Sequence, residues 1–278
     1  MDRVTLDLPA GTFHALASGD GARPLLFLHG FPDHPPTAES FLTELASRGH
    51  RVLAPWLRGY APSPTPATFA FADLVDDVIA MIDRWSPDEP VDLVGHDWGA
   101  VLTYAVCSRA PQKISRAVTL AVPHPLTFLR RLRSPAQLRA SWYMGLFQAP
   151  GAEYFASARD FRLIDRLWGR WSPSFQLSAV QRAELHDMLR ASMPAPIHYY
   201  RAAARVGREA LRELAEPITT PLLYLHGADD GCILPAPIDD RRRFAGEYGR
   251  DVIAGAGHFL HLEHPADIAG RISTWLSA

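Results

Sequence analysis

The chain has 278 residues, 47% of them hydrophobic and 21% charged, with a formal net charge of −2. That length suits one large α/β domain or one domain carrying an inserted lobe. The composition excludes disordered and collagen-like classes, and the charge gives no sign of nucleic acid or an anionic membrane surface as partner. Two cysteines, Cys107 and Cys232, exclude a disulfide framework and a cysteine-based metal site, and the 12 histidines show no HExxH-type spacing. The N-terminus lacks an apolar h-region and no apolar window reaches about 18 residues. Neither a signal peptide nor a membrane span is therefore expected, and the default location is cytoplasmic.

In chain order, "RVTLDLP" (3–9) and "TFHALASG" (12–19) read as a leading hairpin. "PLLFLHG" (24–30) is a buried-strand run ending in glycine. "AESFLTELASRG" (38–49) places Phe41, Leu42 and Leu45 on one helix face. "RVLAPW" (51–56) is the next strand, and "APSPTPATFAFAD" (61–73) is a Pro/Thr loop. "FADLVDDVIAMIDRW" (71–85) repeats apolar residues at three and four. "VDLVGH" (91–96), the small apolar helix "WGAVLTYAVCSRA" (98–110) and "ISRAVTLAV" (114–122) follow. Strands alternating with helices in this way predict a mostly parallel sheet covered on both faces.

The alternation stops over 124–216, a stretch rich in Arg, Trp, Tyr, Phe and Pro. "SPAQLRASWYMGLFQ" (134–148), "ARDFRLIDRLWGRW" (158–171), "SAVQRAELHDMLRASM" (178–193) and "IHYYRAAARVGREALRELAE" (197–216) are its expected helices. The strand pattern resumes with "PLLYLHG" (221–227) and "DVIAGAG" (251–257), and "ADIAGRISTWL" (266–276) closes the chain. The division is a main domain of 1–123 and 217–278 with a helical lobe of 124–216 inserted between two strands.

Four short segments carry chemistry, each after an expected strand. In "VGHDWGA", Gly95 and Gly99 bracket Asp97 on a strand-to-helix turn that lifts its side chain above the sheet. The helix behind it offers backbone N–H groups and the positive end of a dipole. "HGFPD" (29–33) could aim the Phe31 amide at the same place, where it would pair with the Trp98 amide as an oxyanion hole. "LHGADDGCI" (225–233) offers Asp229 and Asp230 as carboxylates to orient an imidazole. "GAGHFLHLEHP" (255–265) offers His258, with His261 and His264 as rivals, and His264 reads as a surface or helix-start residue. The order nucleophile, acid, histidine is the one used on strand-to-helix elbows of this kind.

On these motifs the chain resembles the α/β-hydrolases of the epoxide hydrolase and haloalkane dehalogenase branch, from about residue 10 to 277. "HGFP", "GYAPSP" (59–64), "GHDWGA", "GADD" and "GHFLHLEHP" match in order and spacing. The resemblance implies an α/β-hydrolase fold with a helical cap and an aspartate nucleophile, Asp97. It selects Asp230 over Asp229 as the acid and His258 as the histidine. Epoxide hydrolases of this fold use two cap tyrosines on the epoxide oxygen. "YMGLFQAPG" supplies Tyr143 in register, and "HYYR" supplies Tyr200, with Tyr199 in the place of the usual tryptophan, so either hydroxyl could point inward. The dehalogenase branch shares Trp98 but commonly has Asn where Phe31 stands. Fluoroacetate-type enzymes place arginines where this chain has Trp98 and Val101.

The expected reaction is therefore hydrolysis of an apolar epoxide through an ester on Asp97, with water activated by His258 and Asp230 and with no metal or organic cofactor. The alternatives are a haloalkane-type dehalogenase or a ligand-binding protein on the same scaffold. Trp142, Phe147, Tyr154, Phe155, Trp168 and Trp171 are expected to make the pocket apolar. The apolar cap surface could also serve a homodimer, so the oligomeric state stays open.

Overall fold

The structure, a computed structural model, describes residues 1–235 and 240–278. Among the described residues eight strands form one sheet in the order β1-β2-β4-β3-β5-β6-β7-β8. Strands β1 (Asp2–Leu8) and β2 (Gly11–Ser18) make the expected hairpin, and β2 runs antiparallel to β4 (His50–Pro55). Strands β3 (Arg23–Leu28), β4, β5 (Val91–His96), β6 (Ile114–Leu120), β7 (Leu222–Gly227) and β8 (Tyr248–Ile253) are parallel.

Helix α1 (Glu39–Ser47) connects β3 to β4, α2 (Phe71–Trp85) connects β4 to β5, and α3 (Trp98–Arg109) connects β5 to β6. The first connection steps one way along the sheet and the other two step back. Right-handed crossovers therefore put α1 on one face and α2 and α3 on the other. Phe41, Leu42 and Leu45 of α1 are fully buried, each contributing roughly 1.5–3 kcal/mol by removal from water. The amphipathic stripe of α2 buries Leu74, Val75, Val78, Met81 and Ile82, and the Asp73 carboxylate accepts the Ala70 N–H at its start. Helix α3 lies buried behind β5 on nearly every side, which explains its uniformly small apolar sequence.

Between β6 and β7 come α4 (Pro125–Arg131), α5 (Pro135–Ala140), α6 (Trp142–Leu146), α7 (Ala152–Trp171), α8 (Ala179–Ser192), α9 (Ala195–Ala203) and α10 (Arg208–Glu213). The chain ends with α11 (Leu260–Glu263) and α12 (Pro265–Leu276), the latter packed on α1. Three expectations need correction. Residues 134–148 and 197–216 each form two helices, broken at Ser141 and at residues 204–207. Helix α4 was not anticipated, although its sequence carries a start signal: Pro125 opens it, and His124 Nδ1 accepts the Leu126 N–H. Strand β8 begins at Tyr248 rather than Asp251. Its position follows from pairing with β7 (Tyr248 opposite Leu222), and as an edge strand it is mostly exposed, so hydrophobicity could not locate it.

Candidate active site

The turn between β5 and α3 holds Asp97 at φ 51, ψ −113, a backbone region costing about 1–3 kcal/mol for a residue with a side chain. The flanking glycines are required by closeness rather than by their own torsions. A Cβ on Gly95 would lie 2.2 Å from the Gly99 carbonyl oxygen, and one on Gly99 would lie 2.0 Å from that of Leu28. A Cβ on Gly30 would strike Asp97 itself at 2.3 Å. The packing of three glycines thus forces the strained carboxylate up from the sheet.

The remaining groups close around it. The Phe31 N–H donates to Asp97 Oδ1 at 2.8 Å, and His258 Nε2 stands 3.5 Å from Asp97 Oδ2. His258 Nδ1 donates to Asp230 Oδ2 at 2.9 Å, while Asp230 Oδ1 accepts the amides of Cys232 and Ile233 at 2.7 and 2.9 Å. Asp230 is buried and Asp229 exposed, in line with the choice of Asp230. His261 is buried behind His96, with Nε2 4.0 Å from Asp33 Oδ2, and His264 lies at the surface on the Gly255 carbonyl. Trp98 opens α3. Among the described residues its amide makes no hydrogen bond to the carboxylate, and its indole meets the Tyr200 ring edge-on at 5.0 Å. Tyr143 and Tyr200 border one cavity with Asp97 and Trp98. Tyr199 turns away, donating its hydroxyl to the Arg58 carbonyl at 2.9 Å.

A family described as "alpha/beta hydrolase fold" matches residues 23–265. The chain is 30% identical to epoxide hydrolase 4 of Mus musculus over 95% of its own length and 76% of that protein. It is 27% identical to the AB hydrolase superfamily protein YfhM of Bacillus subtilis, over 95% and 94%. A solved structure of Bacillus megaterium epoxide hydrolase with an inhibitor superposes with a TM-score of 0.87, at 24% identity, over 99% of this chain and 100% of that one. The chain belongs to the α/β-hydrolase fold family, in its epoxide hydrolase branch.

The cavity of this hydrolase measures about 120 Å³. Its walls are apolar, as expected, but the residues differ from those expected. They include Phe71, Val101 and Val122 below and Leu126, Phe128, Met144, Val206 and Leu214 above. Trp142, Tyr154 and Phe155 are 44%, 78% and 64% exposed, on outward helix faces. Phe147 packs edge-on against Phe31 and Tyr200, and Trp168 stacks on Phe259 at 3.8 Å, both as core. A larger surface groove of about 1110 Å³, walled by Arg109, Arg201 and Glu213, contains none of these site residues; Phe71 borders both spaces.

Electrostatics divide the site into a charged front and a back where burial works against charge. Burial works against the charge on His258, but Asp230 and then Asp97 outweigh it and raise its pKa to about 10. Burial likewise opposes the Asp97 carboxylate, and His258 overcomes this to hold it below its usual range. The resting site is therefore an imidazolium between two carboxylates. Burial keeps the Tyr143 and Tyr200 hydroxyls protonated well above the usual tyrosine range. Behind them burial lifts Asp33 to about 7, and burial with the neighbouring His258 charge lowers His96 to about 3.

Several supporting residues were given no role by the sequence. His96 Nε2 donates to the His258 carbonyl at 3.0 Å. The carbonyl of Trp171, the last residue of α7, accepts the amides of both Gly231 and His258, at 3.2 and 3.0 Å. One helix end thus fixes the loop of the acid and the loop of the histidine. The only sequence cue was a pair of glycines, Gly231 and Gly257, where a Cβ would strike the Arg170 and Trp171 carbonyl oxygens at 2.1 and 2.7 Å.

Proposed function

We propose that the hydrolase opens an apolar epoxide to a vicinal diol through an ester on Asp97, with residues 124–216 as the cap that closes the site. The observation that carries this reading is the shared cavity. Two protonated tyrosines from the inserted helices face it together with a strained, ionised aspartate. The Tyr200 hydroxyl donates to no protein group among the described residues, the indole N–H of Trp98 beside it being itself a donor, and its proton is left for substrate.

A carboxylate suits attack on a saturated ring carbon, because the leaving alkoxide can be met by hydroxyl donors. Oδ1 of Asp97 is held by the Phe31 amide, so Oδ2 is the attacking oxygen. Its bond to carbon forms as the ring C–O bond breaks, with Tyr143 and Tyr200 donating to the released oxygen. Esterification removes the charge of Asp97, one of the two attractions that keep His258 protonated. The imidazolium proton can then neutralise the alkoxide, which leaves a neutral base. His258, oriented by Asp230, next takes a proton from water, and the hydroxide attacks the Asp97 ester carbon. Charge develops on Oδ1, where the Phe31 amide already sits and the Trp98 amide can join it. Each such donor contributes about 3–4 kcal/mol in comparable oxyanion holes. Collapse breaks the bond from the ester carbon to the substrate oxygen. The leaving alkoxide takes the proton from His258 and departs as diol, and the new Asp97 carboxylic acid passes its proton back to His258.

His258→Gln should halt the cycle at the ester. Mixing that variant with a styrene-type epoxide should raise the protein mass by one substrate, and the intact enzyme should release diol. No adduct and no diol would leave only a ligand-binding protein. The dehalogenase reading draws on the Trp98 indole N–H, buried beside the same cavity and in no hydrogen bond of normal geometry among the described residues. Bromide release from a bromoalkane without diol from an epoxide would favour it.

A further inference from the structure

Tyr143 and Tyr200 share the cavity but not their surroundings. Tyr200 Oη makes no hydrogen bond of normal geometry among the described residues, the Trp98 indole being the side chain that acts on it, whereas Tyr143 Oη lies 3.2 Å from the thiol of Cys232. Cys232 is 1% exposed and is itself held at two further points. Its N–H donates to Asp230 Oδ1 at 2.7 Å, and its carbonyl accepts Gln137 Nε2 at 3.0 Å. Gln137 is fully buried in α5, and its Oε1 accepts the Leu234 N–H at 3.0 Å. Its Nε2 also reaches Ser141 Oγ, at the junction with α6, which carries Tyr143. The α5–α6 unit is thereby bracketed onto the very loop that supplies the acid. Within that bracket the thiol is the group that touches the tyrosine hydroxyl.

We propose that Cys232 is a positioning residue for Tyr143, which accepts the phenol proton at rest and donates its S–H to the phenol oxygen once Tyr143 turns to the substrate. The proposal rests on the reading of Tyr143 as a donor to the epoxide oxygen. No covalent bond changes; the Tyr143–Cys232 hydrogen bond reverses direction and a new one forms from Tyr143 to the substrate oxygen. A thiol can do this because it is both a weak acceptor and a weak donor, and burial holds it protonated. The S–H bond matters when negative charge gathers on the epoxide oxygen and draws on the phenol. Cys232 should therefore affect the rate of ester formation and leave substrate affinity nearly unchanged.

The test is the single-turnover rate of ester formation with a styrene-type epoxide in Cys232→Val, Cys232→Ser, Tyr143→Phe and the Val/Phe double variant. Val is close in volume and lacks the donor. It should slow ester formation about three- to tenfold, as expected for one hydrogen bond, with KM within about twofold. Ser restores the donor and should stay within about threefold of the parent rate. In the Tyr143→Phe background the Val substitution should have no effect, since its partner is gone. A Val effect that persists undiminished in that background would mean that residue 232 acts through Asp230, and would overturn the proposal. So would a parent-like rate for Cys232→Val, or a Ser variant as slow as Val. Tyr143→Phe with an unchanged rate would instead overturn the donor role of Tyr143, an outcome distinct from the other three. Thermal unfolding of each variant separates these rates from loss of fold.

Discussion

Adjacent residues can carry opposite duties, and Tyr199 and Tyr200 are such a pair. Successive side chains on α9 point about 100° apart, so one reaches the Arg58 carbonyl and the other the cavity. Tyr200→Phe should lower the rate of diol formation by about 10- to 100-fold with the melting temperature nearly unchanged. Tyr199→Phe should do the reverse: activity near the parent value and about 1 kcal/mol lost in urea unfolding. The histidine supplies a pH test. Its pKa is raised from 6.5 to about 10 in the folded protein. The folded state thus binds the proton more tightly than the unfolded state does. The stabilisation is complete below pH 6.5 and is lost as pH rises through about 10. Urea unfolding at pH 7 and pH 10.5 should show this loss, and Asp97→Asn, which removes one attracting charge, should shift it to lower pH. At this scale Asp97, Asp230 and His258 were legible because each sits at a strand end in a motif that names its neighbour. The inward choice between Tyr199 and Tyr200 was not, because packing and not spacing decides it. Cys232 entered only in excluding a disulfide framework and a cysteine-based metal site, since its partner is 89 residues away.

Elements were legible in proportion to their burial. Strand β5 is buried at every position, and its ends were read without error. Edge strand β8 shows three consecutive exposed residues and was placed three residues late. In the inserted stretch an aromatic side chain signals burial but not against what. Phe147 went into the core, whereas Tyr154 and Phe155 sit on the outer side of α7. The elbow glycines were read as permitting a tight turn, and their contacts show that they do so by giving space. Gly99→Ala makes this testable: its Cβ would meet the rigid Leu28 carbonyl. That clash should cost about 1–3 kcal/mol in urea unfolding and displace the start of α3. Activity should fall further than the stability loss alone explains.

At the scale of the whole molecule, the inserted helices are tied by a hydrogen bond to a loop of the main domain that a buried charge pair holds in place, as well as by apolar packing. Arg58, in the loop after β4, meets Asp77 of α2 with Nη2 2.7 Å from Oδ1, and both are nearly inaccessible. The Arg58 carbonyl in turn receives Tyr199 from α9. Asp77→Ala would strand a buried guanidinium and should cost about 3–5 kcal/mol, read as a lowered denaturant midpoint. The fold class was legible because buried-strand runs alternate with helical patterns, halt after β6 and resume at β7. The ties across that boundary join residues such as Arg58 and Tyr199, 141 positions apart, which no local pattern links.

Strands β6 and β7 are parallel neighbours, so the chain must cross from the end of one to the start of the other. Helix α10, lying against α3, already makes that crossing. The six helices before it leave the sheet at one point and add no strand to it. They behave as a cassette: their length and sequence can drift, or be grafted from another chain, while the elbow, the acid loop and the histidine loop keep their register. Whatever is grafted must still present side chains to the cavity where Tyr143 and Tyr200 stand, and keep at the end of α7 a carbonyl for Gly231 and His258.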